Sequence, residues 1–222
     1  MKRQANKFII LVLVTFFSFN FNVANNFNVA NSLELKLPKK TSSSSGAGDL
    51  KDIKLKFTKI FFESSLEYME AQFHLFNALE MNDEASKTRK SIDFVKNDKN
   101  KEGKRLTNAF NSVSENSSAI EGALTKEAAT STVAKVHYAK SLPHAIKGIL
   151  GTIQLPPEAK NLLDAIKADK MAALKMGSFL KVLPKIPQYV KSATTVGKLI
   201  ISGAKSRDVE GADDATSQLG DL

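Results

Sequence analysis

Four residues of one segment combine types and spacing that could hold a metal ion: Glu63, Glu67, Glu70 and His74. On an α-helix, at about 100° per residue, their side chains would share an arc of about 60°. Di-iron helical proteins use such inward faces, but they repeat Glu-x-x-His on two facing helices. This sequence has Glu70-x-x-x-His74, once. The same face continues with alternating charge, which favours a helix face turned to water, at Asp52, Lys56, Lys59 and Asn77.

The other residues that could do chemistry form no catalytic motif. His137 and His144 lie seven residues apart with Pro143 between them and no carboxylate beside them in the sequence, so we expect two half-exposed histidines. No Gly-x-Ser-x-Gly elbow, glycine-rich phosphate loop or His-Glu-x-x-His occurs. We predict that the protein is not an enzyme and needs no cofactor. Its paired glycines are typical of close helix contacts or caps: Gly148 and Gly151, and Gly197 and Gly203.

The N-terminus has the organisation of a secretory signal peptide. Three basic residues precede an uncharged apolar run over 8–19, and small residues follow. The run is about twelve residues long, whereas a membrane-spanning helix needs roughly twenty. We predict a signal peptide over 1–32, cleaved after Ala30-Asn31-Ser32, with cleavage after Ala24 as the alternative. The repeated NFNVAN of residues 20–31 then belongs to the leader, and the protein is exported to the periplasm or the extracellular space.

The composition fits an exported bacterial domain that is stabilised by its apolar core. The chain of 222 residues contains no cysteine, which excludes disulfides and thiolate metal ligands. Removal of the leader leaves 29 basic and 23 acidic residues, a net charge of +6. Only four arginines occur, although nucleic-acid recognition favours the arginine fork, so nucleic acid is not an expected partner.

The longest regular pattern predicts one helix over 49–81. Before it, residues 33–48 indicate a short extended arm followed by a Ser/Gly linker. Within the helix, apolar residues recur at intervals of three, four or seven, and aromatic residues are concentrated there. These rings would form either the core face, which we favour, or the lining of an apolar ligand pocket. The residues concerned are Phe57, Phe61, Tyr68, Phe73 and Phe76.

Shorter helical patterns follow, and no convincing strand appears after the arm. We predict helices from Asn82 and from Arg105, and a fourth from Thr125 that Pro143 kinks or ends. A fifth begins at 156 and carries Leu174 on its apolar side, and a sixth spans 188–204. The sequence therefore predicts an all-α fold, an antiparallel bundle of five or six helices over 49–205. The acidic tail over 206–222 would self-associate or fold back as a strap.

The expected function is non-catalytic binding or scaffolding in the cell envelope, through an unknown protein or lipid partner. The alternative is a carrier of a hydrophobic ligand, or a protein at the membrane surface that uses the Phe-rich first helix or the Lys-rich C-terminal helices. A third option is a metal-dependent enzyme that uses the Glu63 to His74 face. The sequence leaves the oligomeric state open. The lysines that would contact an anionic surface are Lys185, Lys191, Lys198 and Lys205.

Overall fold

The all-α prediction is confirmed in the part of the chain that the structure describes. The structure is a computed structural model that describes residues 47–124 and 131–219. The predicted signal peptide and most of the predicted arm and linker lie outside these residues. None of the described helices is both long and apolar enough to cross a membrane. The helices are α1 (Ala47–Ala78), α2 (Asn82–Lys96), α3 (Glu102–Leu124), α4 (Thr132–Thr152), α5 (Leu155–Ala168), α6 (Lys170–Lys175), α7 (Gly177–Val182), a 3-10 turn (Leu183–Lys185), α8 (Ile186–Lys205) and α9 (Ala212–Leu219).

Helix α1 is the longest described helix, and it contacts α2, α3, α4 and α5. Its apolar residues recur at helical spacing, so one broad side of the helix enters the core. Phe57 and Phe61 are fully buried and stack on each other with ring centroids 5.7 Å apart. Phe61 also lies 5.7 Å from the ring of Tyr189 on α8. The aromatic residues of this segment thus pack within the core and join α1 to the C-terminal half of the chain.

Helices α1 and α4 pack against each other in opposite directions, and glycine permits their close approach. Gly151 lies beside Ser64, and Gly148, three residues earlier, lies beside Tyr68. A Cβ atom at Gly148 would stand 2.8 Å from Cδ2 and 3.1 Å from Cα of Tyr68. Real Cβ atoms are not found that close, so a larger residue would push the two helices apart. The expectation that these glycines make close helix contacts is confirmed.

Proline does not end α4, contrary to one of the two expected outcomes. Pro143 lies inside the helix, which continues to Thr152. Leu142 and Ile146, on either side of it, are buried in the core, and Pro143 itself is exposed. The continuous apolar stripe outweighs the hydrogen bond that proline cannot donate.

The predicted fifth helix is divided, and the helix count is therefore higher than expected. Asp169 ends α5 and caps α6, because its Oδ1 accepts hydrogen bonds from the backbone N–H groups of Met171 (2.8 Å) and Ala172 (3.2 Å). A carboxylate at the N-cap, the residue just before the first helical residue, is a strong local start signal. A second break at Met176 separates α6 from α7.

The described part of the acidic tail folds back on the protein. Gly211, at a φ of +84°, lies in the turn after α8, and α9 then packs against α4 and α8. Ala212, Ala215 and Leu219 are buried. Lys205 of α8 pairs with Asp213 at 2.9 Å. Of the two expected outcomes, the described residues of the tail form the strap, which is held by apolar contacts and an exposed ion pair.

We expect the substitution Gly148→Ala to lower the free energy of unfolding by about 1–3 kcal/mol, because the new methyl group overlaps Tyr68. Urea denaturation measured by circular dichroism checks this. The matched control is Gly177→Ala, where an added Cβ would meet nothing within 4 Å and stability should stay level or rise by up to about 1 kcal/mol. Equal losses in both variants would show that helix proximity is not the cause.

Candidate functional site

Glu70 forms ion pairs with two basic side chains of α2. Its Oε1 lies 2.9 Å from Nζ of Lys96, and its Oε2 lies 3.1 Å from the guanidinium of Arg89. Burial acts to raise the pKa of Glu70, but the hydrogen bond from Lys96 and the positive charges of Arg89 and Lys96 outweigh it, and the pKa lies below its usual value. The guanidinium of Arg89 also covers the ring of Phe73, 4.1 Å from its centroid. Glu70 therefore fastens α1 to α2.

All three histidines of the chain meet between α1 and α4. The ring centroid of His74 lies 5.8 Å from that of His137 and 6.0 Å from that of His144, with which it is stacked. Nδ1 of His144 lies 2.6 Å from Oε2 of Glu67. An ionised carboxylate can only accept, so the imidazole N–H donates this bond. We call these four residues the histidine cluster.

The register of two antiparallel helices creates this cluster. Glu67 and His74 are seven residues apart on α1, and His137 and His144 are seven apart on α4. Seven residues are about two helical turns, so each pair shares one face of its helix. When the helices run in opposite directions, His144 meets Glu67 and His137 meets His74. His137 and His144 are both half-exposed, as expected. The carboxylate of Glu67 beside His144 was not expected, because Glu67 is distant from His144 in the sequence.

Two histidines of the cluster, His74 and His137, have lowered pKa values and resist protonation. Burial lowers the pKa of His74 to about 4, and the neighbouring His144 and His137 add to the effect, while Glu70 opposes it and Lys140 adds a little more. Burial and Lys140 also lower the pKa of His137. Nδ1 of His74 and Nδ1 of His137 are buried without a hydrogen-bond partner. Both imidazoles are thus neutral at pH 7 and become protonated only in acid.

The four residues first considered for metal binding do not converge on one point. Glu67 and His74 lie in the histidine cluster, Glu63 is exposed, and Glu70 is held by α2. Within residues 47–124 and 131–219, no group of three or more His, Cys, Asp or Glu side chains is placed to hold a metal ion.

The rings considered for a ligand pocket occupy the core instead. Phe57, Phe61, Tyr68 and Phe76 are fully buried, and Phe73 is half-buried. The hydroxyl of Tyr68 donates to the backbone carbonyl of Ala193 on α8, and burial raises the pKa of Tyr68 well above its ordinary value.

The four lysines considered for an anionic surface are exposed on the C-terminal helices: Lys185, Lys191, Lys198 and Lys205. The apolar side of α8, however, lies in the core, with Ile186, Tyr189 and Ile200 almost fully buried. Helix α8 can therefore contact a membrane surface only through its charged side.

The exposed large apolar side chains lie elsewhere. Leu174 of α6 is 80% exposed and Met171 is 61% exposed. The sequence placed Leu174 on a buried side, and the helix break at Asp169 explains why that expectation was wrong. Leu55 on α1 and Val133 at the start of α4 are exposed to a similar extent, at 65% and 66%.

No family model, curated protein or solved structure matches the chain.

We expect Glu70→Gln to lower the free energy of unfolding by about 1 kcal/mol at pH 7, because the partly buried carboxylate loses its charge between Arg89 and Lys96. Since the pKa of Glu70 is lowered, this contribution is complete above about pH 4.5 and is lost as the pH falls below it. Urea denaturation at several pH values measures both effects. The exposed Glu63→Gln serves as the control and should change stability by less than about 0.5 kcal/mol. A loss that persists when carboxylates are protonated would contradict the ion-pair explanation.

We expect His74→Leu to make stability less sensitive to acid. In the unfolded wild type the imidazole of His74 binds a proton near pH 6.5, but in the folded protein it does so only near pH 4. The free energy of unfolding therefore falls as the pH drops through this window. Allowing for solvent screening, the wild type should lose about 1–2 kcal/mol more than the variant between pH 7.5 and pH 5. Parallel urea titrations at the two pH values measure the difference, with Glu63→Gln again as the control. Identical pH dependence in wild type and His74→Leu would refute the assignment.

Proposed function

We propose that the chain is an exported helical protein with a non-catalytic binding or scaffolding role in the cell envelope. In this proposal a signal peptide over 1–32 is removed, and the remaining chain folds as an antiparallel helical bundle. The basic start, the short apolar run and the small residues of the leader support export.

The distribution of side chains carries the binding part of the proposal. The buried aromatic rings pack between helices, whereas the side chains of Leu174 and Met171 are exposed to solvent. Adjacent exposed apolar side chains that form a patch mark contact sites for a partner, and Met171 and Leu174 lie one turn apart on α6. We therefore assign function to the surface of the folded protein rather than to an internal site.

A role at the membrane surface is the second candidate, and one observation favours it. The exposed apolar residues of α6 lie among lysines, a combination that suits anionic headgroups. The other alternative, a carrier that encloses a hydrophobic ligand, would have to open the core, because Phe57, Phe61 and Phe76 are fully buried against neighbouring helices.

Export is tested by expressing the full chain in a Gram-negative host and sequencing the N-terminus of the released protein. We expect the first residue to be Leu33, or Asn25 if the alternative site is cut. The matched control replaces Leu11 and Leu13 by arginine, which breaks the apolar run and should keep the protein inside the cell. A released protein that begins at Met1 would contradict the leader.

The type of function is tested by native mass spectrometry of the released protein. A non-catalytic surface binder should show the mass of the polypeptide alone, together with a saturable protein or lipid partner in the envelope fraction. A stoichiometric lipid retained through purification would favour the carrier instead, and stoichiometric iron or manganese would favour the metal-dependent enzyme. Either adduct would overturn the first proposal.

A further inference from the structure

Helix α6 forms a corner of the protein at which apolar and basic side chains project together. We define the α6 corner as Lys167, Lys170, Met171, Leu174 and Lys175, all of which are exposed. Leu174 is the most exposed of the large apolar residues in the described ranges. An exposed apolar patch with a polar rim is typical of a site that contacts a protein or a membrane.

Two helix breaks, at Asp169 and Met176, create this corner. The cap at Asp169 ends α5 and the break at Met176 ends α6. Between them Ala172 is buried, and α6 contacts α5 and α7. Because Ala172 faces inwards, the opposite side of α6 must face outwards. Met171 and Leu174 occupy that outer side, one helical turn apart.

Lysines border the apolar pair on both sides. At about 100° per residue, the order around α6 is Lys170, Leu174, Met171 and Lys175, within an arc of about 140°. Lys167 adds a third exposed charge at the end of α5. The neighbouring carboxylate of Asp169 is engaged by the backbone N–H groups of Met171 and Ala172. The corner therefore presents an apolar tip with a basic rim.

We propose that the α6 corner docks on an anionic lipid bilayer, with Met171 and Leu174 entering the headgroup region and the three lysines contacting lipid phosphates. This inference rests on the proposed export and names the partner of the binding role. Basic residues near an anionic leaflet and apolar side chains in its interface both favour adsorption.

The shape and charge of the corner favour a bilayer over a protein partner. The apolar pair projects instead of forming a groove, and two side chains supply far less contact than the roughly 800 Å² per partner of a stable protein interface. Lysine is a flexible point charge, which suits a surface of mobile phosphates better than a fixed carboxylate. The competing occupant is a second copy, through the acidic residues of α9, of which Asp213 already pairs with Lys205.

Vesicle co-sedimentation of the folded protein tests the proposal. The protein without its leader is mixed with vesicles of phosphatidylcholine, or with vesicles in which part of the lipid is anionic phosphatidylglycerol. We expect binding to the anionic vesicles that weakens as salt is raised. The double variants Met171→Ser/Leu174→Ser and Lys170→Gln/Lys175→Gln should each bind about tenfold more weakly. All substituted side chains are exposed, so far-UV circular dichroism should be unchanged.

The matched control is Leu55→Ser/Val133→Ser, which removes two similarly exposed apolar side chains outside the corner. It should bind the vesicles like the wild type. No binding by the wild type, an equal loss in the control, or unchanged binding by both corner variants would overturn the proposal. A dimer in analytical ultracentrifugation that Met171→Ser/Leu174→Ser abolishes would also overturn it, because the corner would then join two copies. If the released protein begins at Leu33 but does not co-sediment with vesicles, the proposed lipid partner is wrong and the proposed export still stands.

Discussion

Helices α1 and α4 lie so close together that only hydrogen fits at two positions of their contact. Gly148 and Gly151 provide this space opposite Tyr68 and Ser64. The approach fixes the distance and the register between the helices at the same time. Much of the remaining structure depends on that register, because α1 also carries the contacts to α2, α3 and α5. The two glycines of α4 therefore determine where α1, a helix of 32 residues, lies relative to its neighbours.

Polar groups attach the N-terminal helices to this pair. The amide of Gln72 on α1 donates to the carbonyl of Val113 and to Oγ of Ser117 on α3. Asn116 of α3 donates to Oε1 of Gln72 and to Oγ1 of Thr88 on α2, both at 3.0 Å. A buried polar group without a partner costs about 1–3 kcal/mol, so a shift of one helix along another would leave several such groups unsatisfied. Apolar packing supplies most of the driving force, and this network selects one arrangement.

Local patterns were enough to predict the fold class and the longest helix. The spacing of Phe57, Phe61 and Tyr68 requires a helix whose broad apolar side is buried, whatever packs against it. The division after α5 was missed because the apolar spacing continues past Asp169, and the competing signal is a single capping carboxylate. At Pro143, where the sequence predicted that the helix would kink or end, tertiary packing kept the helix that a proline disfavours.

The candidate sites were harder to predict because they depend on pairs of helices. No local rule places His144 beside Glu67, since their separation in sequence is 77 residues and only the register of α1 on α4 joins them. The exposed corner at α6 is likewise a consequence of where a helix stops, not of its composition. The histidine-containing face of α1 was recognised, but its partners on α4 could be identified only from the packing.

The meeting of all three histidines in one place makes the protein its own spectroscopic reporter. Imidazole resonances in a proton spectrum fall in a region of their own, and here every one of them originates at the boundary of α1 and α4. An observer who follows these few signals sees that boundary alone, without isotopic labelling of selected residues. Any event elsewhere in the molecule that disturbs them has, by that fact, reached the contact between these two helices.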